Sequence, residues 1–381
     1  MRSFADLPGA VSASEDSAAS GRATAVLHFG NLFVEQAALA SGGVVPRDDL
    51  RVLRLDGADR LSWLDSLSSQ ALAGLRPGES AETLILDPHG HIEQVLHVID
   101  DGEASWLIVD AQRAAAAHNW LDRMRFRREV RISDVSDQFA VLSQIGQPRG
   151  LSELLGSALA WRDPWPEVAA GGFAYASAAT EPASHGQQSS EQRWNAVEWI
   201  VPRDRITELL IGLKGASVPI AGLLAWQALR IAAGRPDAAD LDEKALPHEF
   251  DWLRTAVHLN KGCYRGQETV AKLHNLGRPP RRLALLHLDG SDSVLPSAGD
   301  EVWGFKPDGE PRLIGRVSSS AQHYELGPIA LALVKRAVPI ELTLEVRHEG
   351  AAIAASQQAV VPADAGPTID IPRFPRLGIR T

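Results

Sequence analysis

The chain contains a single cysteine among its 381 residues, and this scarcity excludes several kinds of site. One thiol cannot form a disulfide within the chain, nor can it build a multi-cysteine zinc site or hold an iron–sulfur cluster alone. We therefore expect no metal site made by this chain. A chain without disulfides also suits a reducing environment, so we expect a cytoplasmic location.

Other classes are disfavoured by what the sequence lacks. No apolar run reaches the ~18 residues that a membrane-spanning helix requires, so we expect no membrane partner. Residues 1–23 are small and polar, lack the apolar core of a secretory signal and are expected to be disordered. The formal net charge of −10 argues against a dedicated nucleic-acid binder, because such proteins are usually basic.

The apolar pattern predicts an α+β protein of two or three domains, because 381 residues exceed one compact core. Apolar runs at residues 82–86, 92–99 and 104–109 are separated by turn signals, so they are predicted to form an antiparallel meander. From residue 277 to 362, short strand-like runs at regular spacing predict a small C-terminal β-barrel. Residues 180–193 are predicted to form a mobile loop, residues 151–159 a helix, and residues 363–381 a loose tail.

Two basic clusters invite a choice between a solvated surface and a binding site. Arg125, Arg127, Arg128 and Arg131 alternate with apolar residues, which predicts the solvent face of a strand; an anion site is the alternative. The second cluster consists of Lys272, His274, Arg278, Arg281 and Arg282. We interpret it as a solvated interdomain loop, with tRNA or a polyglutamate tail as the alternatives.

The only cysteine lies in the run Lys261-Gly262-Cys263-Tyr264-Arg265-Gly266-Gln267-Glu268, just before a predicted helix. Cations on either side and a helix N-terminus favour the thiolate form of Cys263, which would make it a functional thiol. The alternative is an inert, buried small apolar residue.

This eight-residue run resembles the signature of the YgfZ-type folate-binding proteins, a branch related to the T-protein (aminomethyltransferase) of the glycine cleavage system. The resemblance covers about residues 25–361. It implies a three-domain arrangement with two interleaved α/β sandwich domains and a C-terminal β-barrel. Residues 50–134 with 219–276 would form the folate-binding domain, 24–49 with 135–218 the second domain, and 277–362 the barrel.

The resemblance also implies a set of residues for tetrahydrofolate or a derivative. Glu198, on a strand ending at Pro202, matches the glutamate that binds the pteridine ring, for which a carboxylate is suited because it accepts paired N–H bonds. Arg230 matches a pocket arginine, and Glu249 matches a third position more loosely. Gln267 and Glu268 would complete the set near the helix start. Without the resemblance, Glu198 is the polar member of an alternating strand and Arg230 a surface arginine.

One departure from the T-protein pattern bears on catalysis. The positions of the family's hairpin carboxylates fall on Gln94 and Val95, neither of which can act as a general base. Glu93 is one residue out of register, which places it on the opposite face of a strand. The sequence therefore gives no support to a standard aminomethyltransferase.

Three hypotheses remain at this stage. The favoured one is a monomeric folate-binding protein that serves iron–sulfur client enzymes or assembly factors, with Cys263 as its thiol and with Lys261 and Arg265 holding the thiolate or an anionic folate tail. The second is a folate-dependent aminomethyl or methyl transferase. The third is a cysteine hydrolase with His248, His258 or His274 as its base, although nothing in the sequence fixes those histidines near the thiol.

Overall fold

The computed structural model describes residues 4–13, 25–146, 151–156, 158–176, 194–305 and 310–368. The strands are β1 (Val11–Ser12), β2 (Val26–His28), β3 (Val44–Pro46), β4 (Leu50–Asp56), β5 (Ser80–Leu86), β6 (Ile92–Asp100), β7 (Ala104–Asp110), β8 (Arg131–Asp134), β9 (Phe139–Ile145), β10 (Leu159–Arg162), β11 (Ala196–Pro202), β12 (Arg281–Leu288), β13 (Glu301–Gly304), β14 (Arg312–His323), β15 (Gly327–Lys335), β16 (Leu344–His348) and β17 (Ala351–Ala359). The helices are α1 (Leu32–Ala40), α2 (Arg60–Leu67), α3 (Ala111–Arg123), α4 (Leu151–Leu155), α5 (Ile206–Gly215), α6 (Leu223–Ala232) and α7 (Gln267–Leu276).

The predicted meander lies in a five-stranded antiparallel sheet of order β5-β6-β7-β4-β8. Alternate residues of β4, β5, β6 and β7 face helices α2 and α3, where Leu53, Leu96 and Leu107 join Trp63 and Leu121 in one buried cluster. The period-2 alternation of these strands therefore buries one face beneath the two helices.

A second sheet, of order β10-β11-β9-β3, has helix α5 on one face. Its other face packs against the first sheet, because Val141, Trp161 and Ile200 share a cluster with Ile99 and Ile108. The two sheets thus form a layered sandwich whose middle layer is apolar, as sheet-on-sheet packing requires.

The C-terminal strands close into a six-stranded barrel of order β12-β15-β14-β13-β16-β17. Its interior is filled by small and branched apolar side chains, among them Ala284, Val302 and Val346. The predictions of an α+β class and of a C-terminal barrel are confirmed.

Helix α6 and the irregular segment after it lie where the parts of the molecule meet. Residues 233–266 contain only short 3₁₀ turns, yet Trp252, Leu253 and Val257 are fully buried. They share one core cluster with side chains of both sheets, of α6 and of the barrel strands β12 and β15. The segment between Gly234 and α7 is therefore part of the buried core. Its sequence has no regular apolar period, so this burial was not predicted.

Some predictions about local structure are wrong. Residues 4–13 contain a 3₁₀ turn with a buried Phe4 and strand β1, which pairs with β2, whereas the sequence predicted disorder there; residues 1–3 and 14–23 of the same predicted segment lie outside the described residues. Helix α4 ends at Leu155 and β10 follows, so the predicted helix over residues 151–159 is too long. The predicted loop at 180–193 and most of the predicted tail lie outside the described residues.

The first basic cluster was also assigned to the wrong element. Only Arg131 begins a strand, because β8 covers Arg131–Asp134, and residues 124–129 form a turn after α3. Val130, which the alternation placed on the buried face, is indeed buried, but Phe126 is exposed. Among the described residues, no helix combines the length and apolar character needed to cross a bilayer.

Candidate functional site

Glu198 lies in the middle of β11, and its carboxylate is almost completely buried. One oxygen, Oε2, lies 2.7 Å from Nδ1 of His97 on β6. The other, Oε1, lies 3.5 Å from the Arg47 guanidinium, which is itself held by Asp49 at 2.9 Å. Burial alone would lower the pKa of Arg47, but the Asp49 and Glu198 carboxylates raise it. Glu198, the polar residue of an otherwise apolar strand, therefore belongs to a buried charged site between the two sheets.

A second buried arginine stands across the same space. Arg235 donates to Glu82 at 2.7 Å and to Asp163 at 2.9 Å, so one cation bridges two carboxylates. Glu82 also accepts from the Trp252 indole and the Thr255 hydroxyl. Burial by itself would lower the pKa of Arg235, but the two carboxylates raise it above its ordinary value. The pairing matters because an isolated charge at this depth is costly.

These groups line a cavity of about 60 Å³ between the sheets and the segment after α6. The indoles of Trp161, Trp194 and Trp226 form part of its walls, and Trp161 stacks on the His97 ring at 3.6 Å between centroids. The lining holds six carboxylates, from Asp49, Glu82, Asp110, Asp163, Glu198 and Asp237, and three guanidiniums, from Arg47, Arg230 and Arg235. Because carboxylates outnumber cations, the cavity suits a flat ligand that presents N–H donors.

Arg230 lines this cavity too, but its guanidinium is fully engaged with protein groups. It donates to Asp240 and to the carbonyl of Arg235, both at 2.7 Å, and lies 3.1 Å from Asp237. It also reaches Ser319 of barrel strand β14 at 3.2 Å. Arg230 therefore fixes one wall of the cavity to the barrel, in addition to the lining position expected for it.

The β6 side of the cavity carries no catalytic carboxylate. Val95 and His97 line it, whereas Gln94 and Glu93 do not. A bulge at Glu93, opposite Ile85 and Leu86, shifts the register near the start of β6. Glu93 instead pairs with Arg265 at 2.7 Å. The resemblance placed a T-protein carboxylate position at Val95, and this apolar side chain lines the cavity.

Cys263 is exposed on a loop whose neighbouring residues are anchored. The Lys261 ammonium donates to the carbonyls of Asp65, Ser68 and Gln70 at 2.6, 3.0 and 2.7 Å. Tyr264 is buried, and burial raises the pKa of its hydroxyl. The flanking side chains thus hold the loop from below and leave the thiol in solvent.

The other half of the motif fixes the loop to the β5–β6 turn. Gly266 has φ +82°, and a Cβ there would lie 2.5 Å from the carbonyl oxygen of Asp87, so the position requires glycine. Gln267 donates to the Lys261 carbonyl at 3.3 Å, which closes the loop on itself. Arg265 lies over the Trp120 ring, with its guanidinium carbon 5.7 Å from the centroid.

These contacts change the roles expected from the sequence. The charged groups of Lys261 and Arg265 bind backbone carbonyls and Glu93, so they anchor the loop in place of the expected action on the thiol or on a folate tail. Glu249 is fully buried and paired with Arg281 of β12 at 2.7 Å, which makes it a link to the barrel. Neither Glu249, Gln267 nor Glu268 lines the cavity, and Cys263 does not line it either.

Several residues that line the cavity were not predicted from the sequence. Arg47 and Asp49 follow the short strand β3, His97 and Glu82 lie within apolar strands, and Arg235 begins the irregular segment. A charged side chain inside an otherwise apolar strand was the available signal, because such a group is rarely buried without a partner. Its partners, however, come from distant parts of the chain.

The histidines considered as a hydrolase base do not suit that role. His248 is fully buried and its Nε2 lies 3.1 Å from the Val270 carbonyl, and burial lowers its pKa to about 3. Burial also lowers the pKa of His274. Nδ1 of His258 accepts from the Asn260 amide. His248 and His274 are thus sequestered from the exposed thiol, and within the described residues no hydrogen bond joins His258 to Cys263, so the structure shows no thiol–histidine pair.

Comparison with known proteins gives a consistent set of relatives. No protein-family model matches the chain. A putative chloroplastic transferase of Arabidopsis thaliana is 25% identical over 62% of this chain and 54% of its own length. An aminomethyltransferase of a Nostoc species is 26% identical over 78% of both chains. A tRNA-modifying protein YgfZ of an Enterobacter species is 32% identical over 29% of this chain and 33% of its own length.

The fold comparison agrees. The crystal structure of the glycine cleavage system aminomethyltransferase T from Bartonella henselae superposes with a TM-score of 0.70 at 19% identity, over 96% of this chain and 98% of that one. The chain spans about half the length of the chloroplastic relative. The likeness to the solved structure establishes the three-part fold, including the closed barrel.

Proposed function

Because the chain is similar in sequence to aminomethyltransferases and, over 29% of its length, to a YgfZ protein, we propose that it belongs with them and binds tetrahydrofolate or a derivative in the cavity around Glu198. The observation that carries this proposal is the excess of carboxylates over guanidiniums around a buried space with indole walls. The pteridine end of a folate is flat and presents an amino group and ring N–H donors, which match such a lining.

The residues present fit this end of the molecule. Glu198 has acceptor capacity beyond its contacts to His97 and Arg47, because a carboxylate has about four lone-pair sites. Trp194 and Trp226 give apolar surface on which a ring can pack. The cavity volume of about 60 Å³ is smaller than the roughly 300–1,000 Å³ of sites for drug-sized ligands, and the cavity is partly open to solvent, so it suits only one end of a folate. The tail of the folate would therefore lie outside this cavity.

The test is calorimetric titration of the whole protein with tetrahydrofolate. Glu198→Gln keeps the side-chain shape and removes the charge, and we expect it to weaken binding about tenfold or more, which corresponds to about 1.4 kcal/mol. Glu345→Gln, on the barrel surface, is the matched control and should bind like the wild type. Thermal melts verify that both variants are folded. Absence of binding by the wild type, or equal affinity of Glu198→Gln, would refute the proposal.

Arg230→Ala tests the wall of the same cavity. This substitution leaves Asp240 buried without its guanidinium, so it should lower stability as well as folate affinity. A variant that melts like the wild type and binds folate equally well would remove Arg230 from the site.

We further propose that Cys263 is a functional thiol and that the protein acts in the assembly or repair of iron–sulfur clusters of client enzymes. This role is supported by the anchoring of the residues around Cys263, which holds one exposed thiol in a fixed place. A thiolate is the form that ligates iron or attacks an electrophile. Folate binding and thiol chemistry would then belong to separate faces of one protein.

The thiol proposal is tested by Cys263→Ser in cells that lack the protein. We expect the serine variant to fold and bind folate normally while failing to restore the activity of iron–sulfur enzymes. Full restoration by the variant would eliminate the thiol from the function. The alternative, a folate-dependent aminomethyl or methyl transferase, is weaker because Val95, which the resemblance places at a T-protein carboxylate position, lines the cavity with an apolar side chain. Turnover of an aminomethyl donor would nevertheless establish it.

A further inference from the structure

The turn that follows α3 concentrates positive charge in a protein of formal net charge −10. We call residues 123–131 the arginine turn. Its five arginines are Arg123, Arg125, Arg127, Arg128 and Arg131. The segment has no lysine and only one carboxylate, that of Glu129. It forms a local exception to the acidic character of the chain, so the net charge does not describe what this surface attracts.

Most of these guanidiniums are free to meet a partner. Arg125 lies 3.5 Å from Asp122, and Arg128 lies 3.9 Å from Asp59, both at exposed positions where such pairs contribute little. Within the described parts of the chain, Arg123, Arg127 and Arg131 form no ion pair, and all three are exposed. The turn therefore presents unneutralised charge to solvent.

Phe126 stands at the tip of this turn with 80% of its surface exposed. Its backbone has φ +47°, a region that residues with a Cβ rarely adopt. Exposure of an aromatic ring and a strained backbone at the same residue both oppose stability. A protein retains such features where the surface has a function. The neighbouring arginines indicate that the partner carries negative charge.

We propose that the arginine turn binds single-stranded nucleic acid, with Phe126 stacking on a base and the arginines contacting phosphates. Guanidinium groups form paired hydrogen bonds to phosphate, and an exposed ring among them provides a stacking platform. A membrane surface fits less well, because Val130 is buried, Met124 is half-buried and Phe126 is the one largely exposed apolar side chain of the turn. The arrangement suits one base rather than a bilayer.

This surface is separate from the cavity around Glu198. Asp110, at the cavity, caps the N-terminus of α3, whereas the turn follows its C-terminus. The 13 residues of the helix span about 20 Å at 1.5 Å per residue. Failure of nucleic-acid binding would therefore leave the folate proposal intact, and the reverse also holds.

Filter binding of the full chain to a labelled 12-nucleotide oligouridine and an oligothymidine of equal length tests the proposal. Arg127→Gln with Arg128→Gln should weaken binding about tenfold or more at low salt, and the slope of log affinity against log salt should become shallower by about 0.7 for each lost phosphate contact. Phe126→Gly should weaken binding several-fold with an unchanged slope, since it removes stacking alone.

The matched control is Arg205→Gln with Arg316→Gln, which removes the same charge from exposed sites on α5's flank and the barrel. We expect its affinity to stay within about twofold of the wild type. The proposal is overturned by three results: no binding by the wild type, equal losses in the control and the turn variants, or turn-dependent binding to vesicles of anionic lipid without binding to either oligonucleotide. Thermal melts of every variant separate lost binding from lost folding, and Phe126→Gly is expected to melt no lower than the wild type because glycine accepts the positive φ.

Discussion

The cavity around Glu198 and the loop around Cys263 are built by opposite means. In the cavity, side-chain charges face one another in a buried space, as in the Glu82–Arg235–Asp163 bridge. In the loop, one ammonium binds three backbone carbonyls and a glycine fits against the backbone of a neighbouring turn. The cavity thus holds buried charges in place, whereas the loop holds the Cys263 side chain in one position.

The comparison explains why the two regions should respond differently to substitution. In a buried ion network, attraction between the charges offsets the cost of removing each charge from water. Removal of one member therefore leaves its partner buried and uncompensated. An anchored loop loses rigidity gradually as its contacts are removed one at a time. The exposed side chain that it carries contributes nothing to the stability of the fold. Under the proposed function, ligand selection would belong to the first region, and presentation of the thiol to the second.

The largest effect is expected when the cavity network is broken. Arg235→Gln leaves the Glu82 and Asp163 carboxylates buried without their cation, and we expect a loss of about 3–5 kcal/mol in the free energy of unfolding. Urea denaturation measures it. Arg265→Gln is the control from the loop, because its half-exposed pair with Glu93 should contribute about 1 kcal/mol or less. Equal losses in the two variants would contradict the distinction.

Acid should weaken the support of the loop. His248 is buried beneath α7, and its folded pKa of about 3 lies below the ordinary value of 6.5. Between these pH values the unfolded chain binds a proton that the folded chain does not, so stability falls as pH falls through this range, by up to about 1.4 kcal/mol per pH unit.

Asp251 opposes this trend in part, because burial raises its pKa to about 6 and its contribution is lost as pH rises towards that value. The pKa shift of His248 is larger than that of Asp251, so the net effect should be a loss of stability as the pH falls. Urea denaturation at pH 7, 6, 5 and 4 measures the slope. His248→Gln, whose amide can still donate to the Val270 carbonyl, should flatten it; an unchanged slope would assign the acid response to other groups.

A smaller effect is expected from the anchor of the loop. Lys261→Met removes the donor to three carbonyls, and we expect a loss of about 1–3 kcal/mol together with faster reaction of Cys263 with a thiol reagent. Lys272→Met, at an exposed position on α7, is the control and should change neither quantity. Slower or unchanged thiol reaction in Lys261→Met would mean that the ammonium does not hold the loop.

Much of the fold was predictable because its signals are local. The alternation of residues 92–99 and 104–109 and the turn residues between them specify a hairpin, and the run of short strands after Pro280 specifies the barrel. Predictions were wrong where the local signal was ambiguous. Arg125 to Arg131 alternate as a strand does, but the chain after α3 turns with a positive φ at Phe126, which no period-2 pattern reveals.

The site was predictable only in part, for a different reason. Glu198 and Arg230 were found through a resemblance in sequence, and both line the cavity. His97 and Arg235 were missed because their partners Glu198 and Glu82 lie 101 and 153 residues away in sequence, and a single sequence does not indicate which buried charges meet. Lys261 was identified, but its neighbours in sequence suggested a role at the thiol, whereas its contacts come from residues 65–70.

The indoles that wall the cavity give this protein an optical property of its own. Trp161 lies flat against the His97 imidazole, and Trp194 meets Trp226 edge to face with 5.1 Å between ring centroids. The fully conjugated ring of an oxidised pteridine absorbs near-ultraviolet light at the wavelengths at which indoles emit. A ring entering this space would accept excitation from three of the ten tryptophans, so the unlabelled protein would dim as its cavity fills.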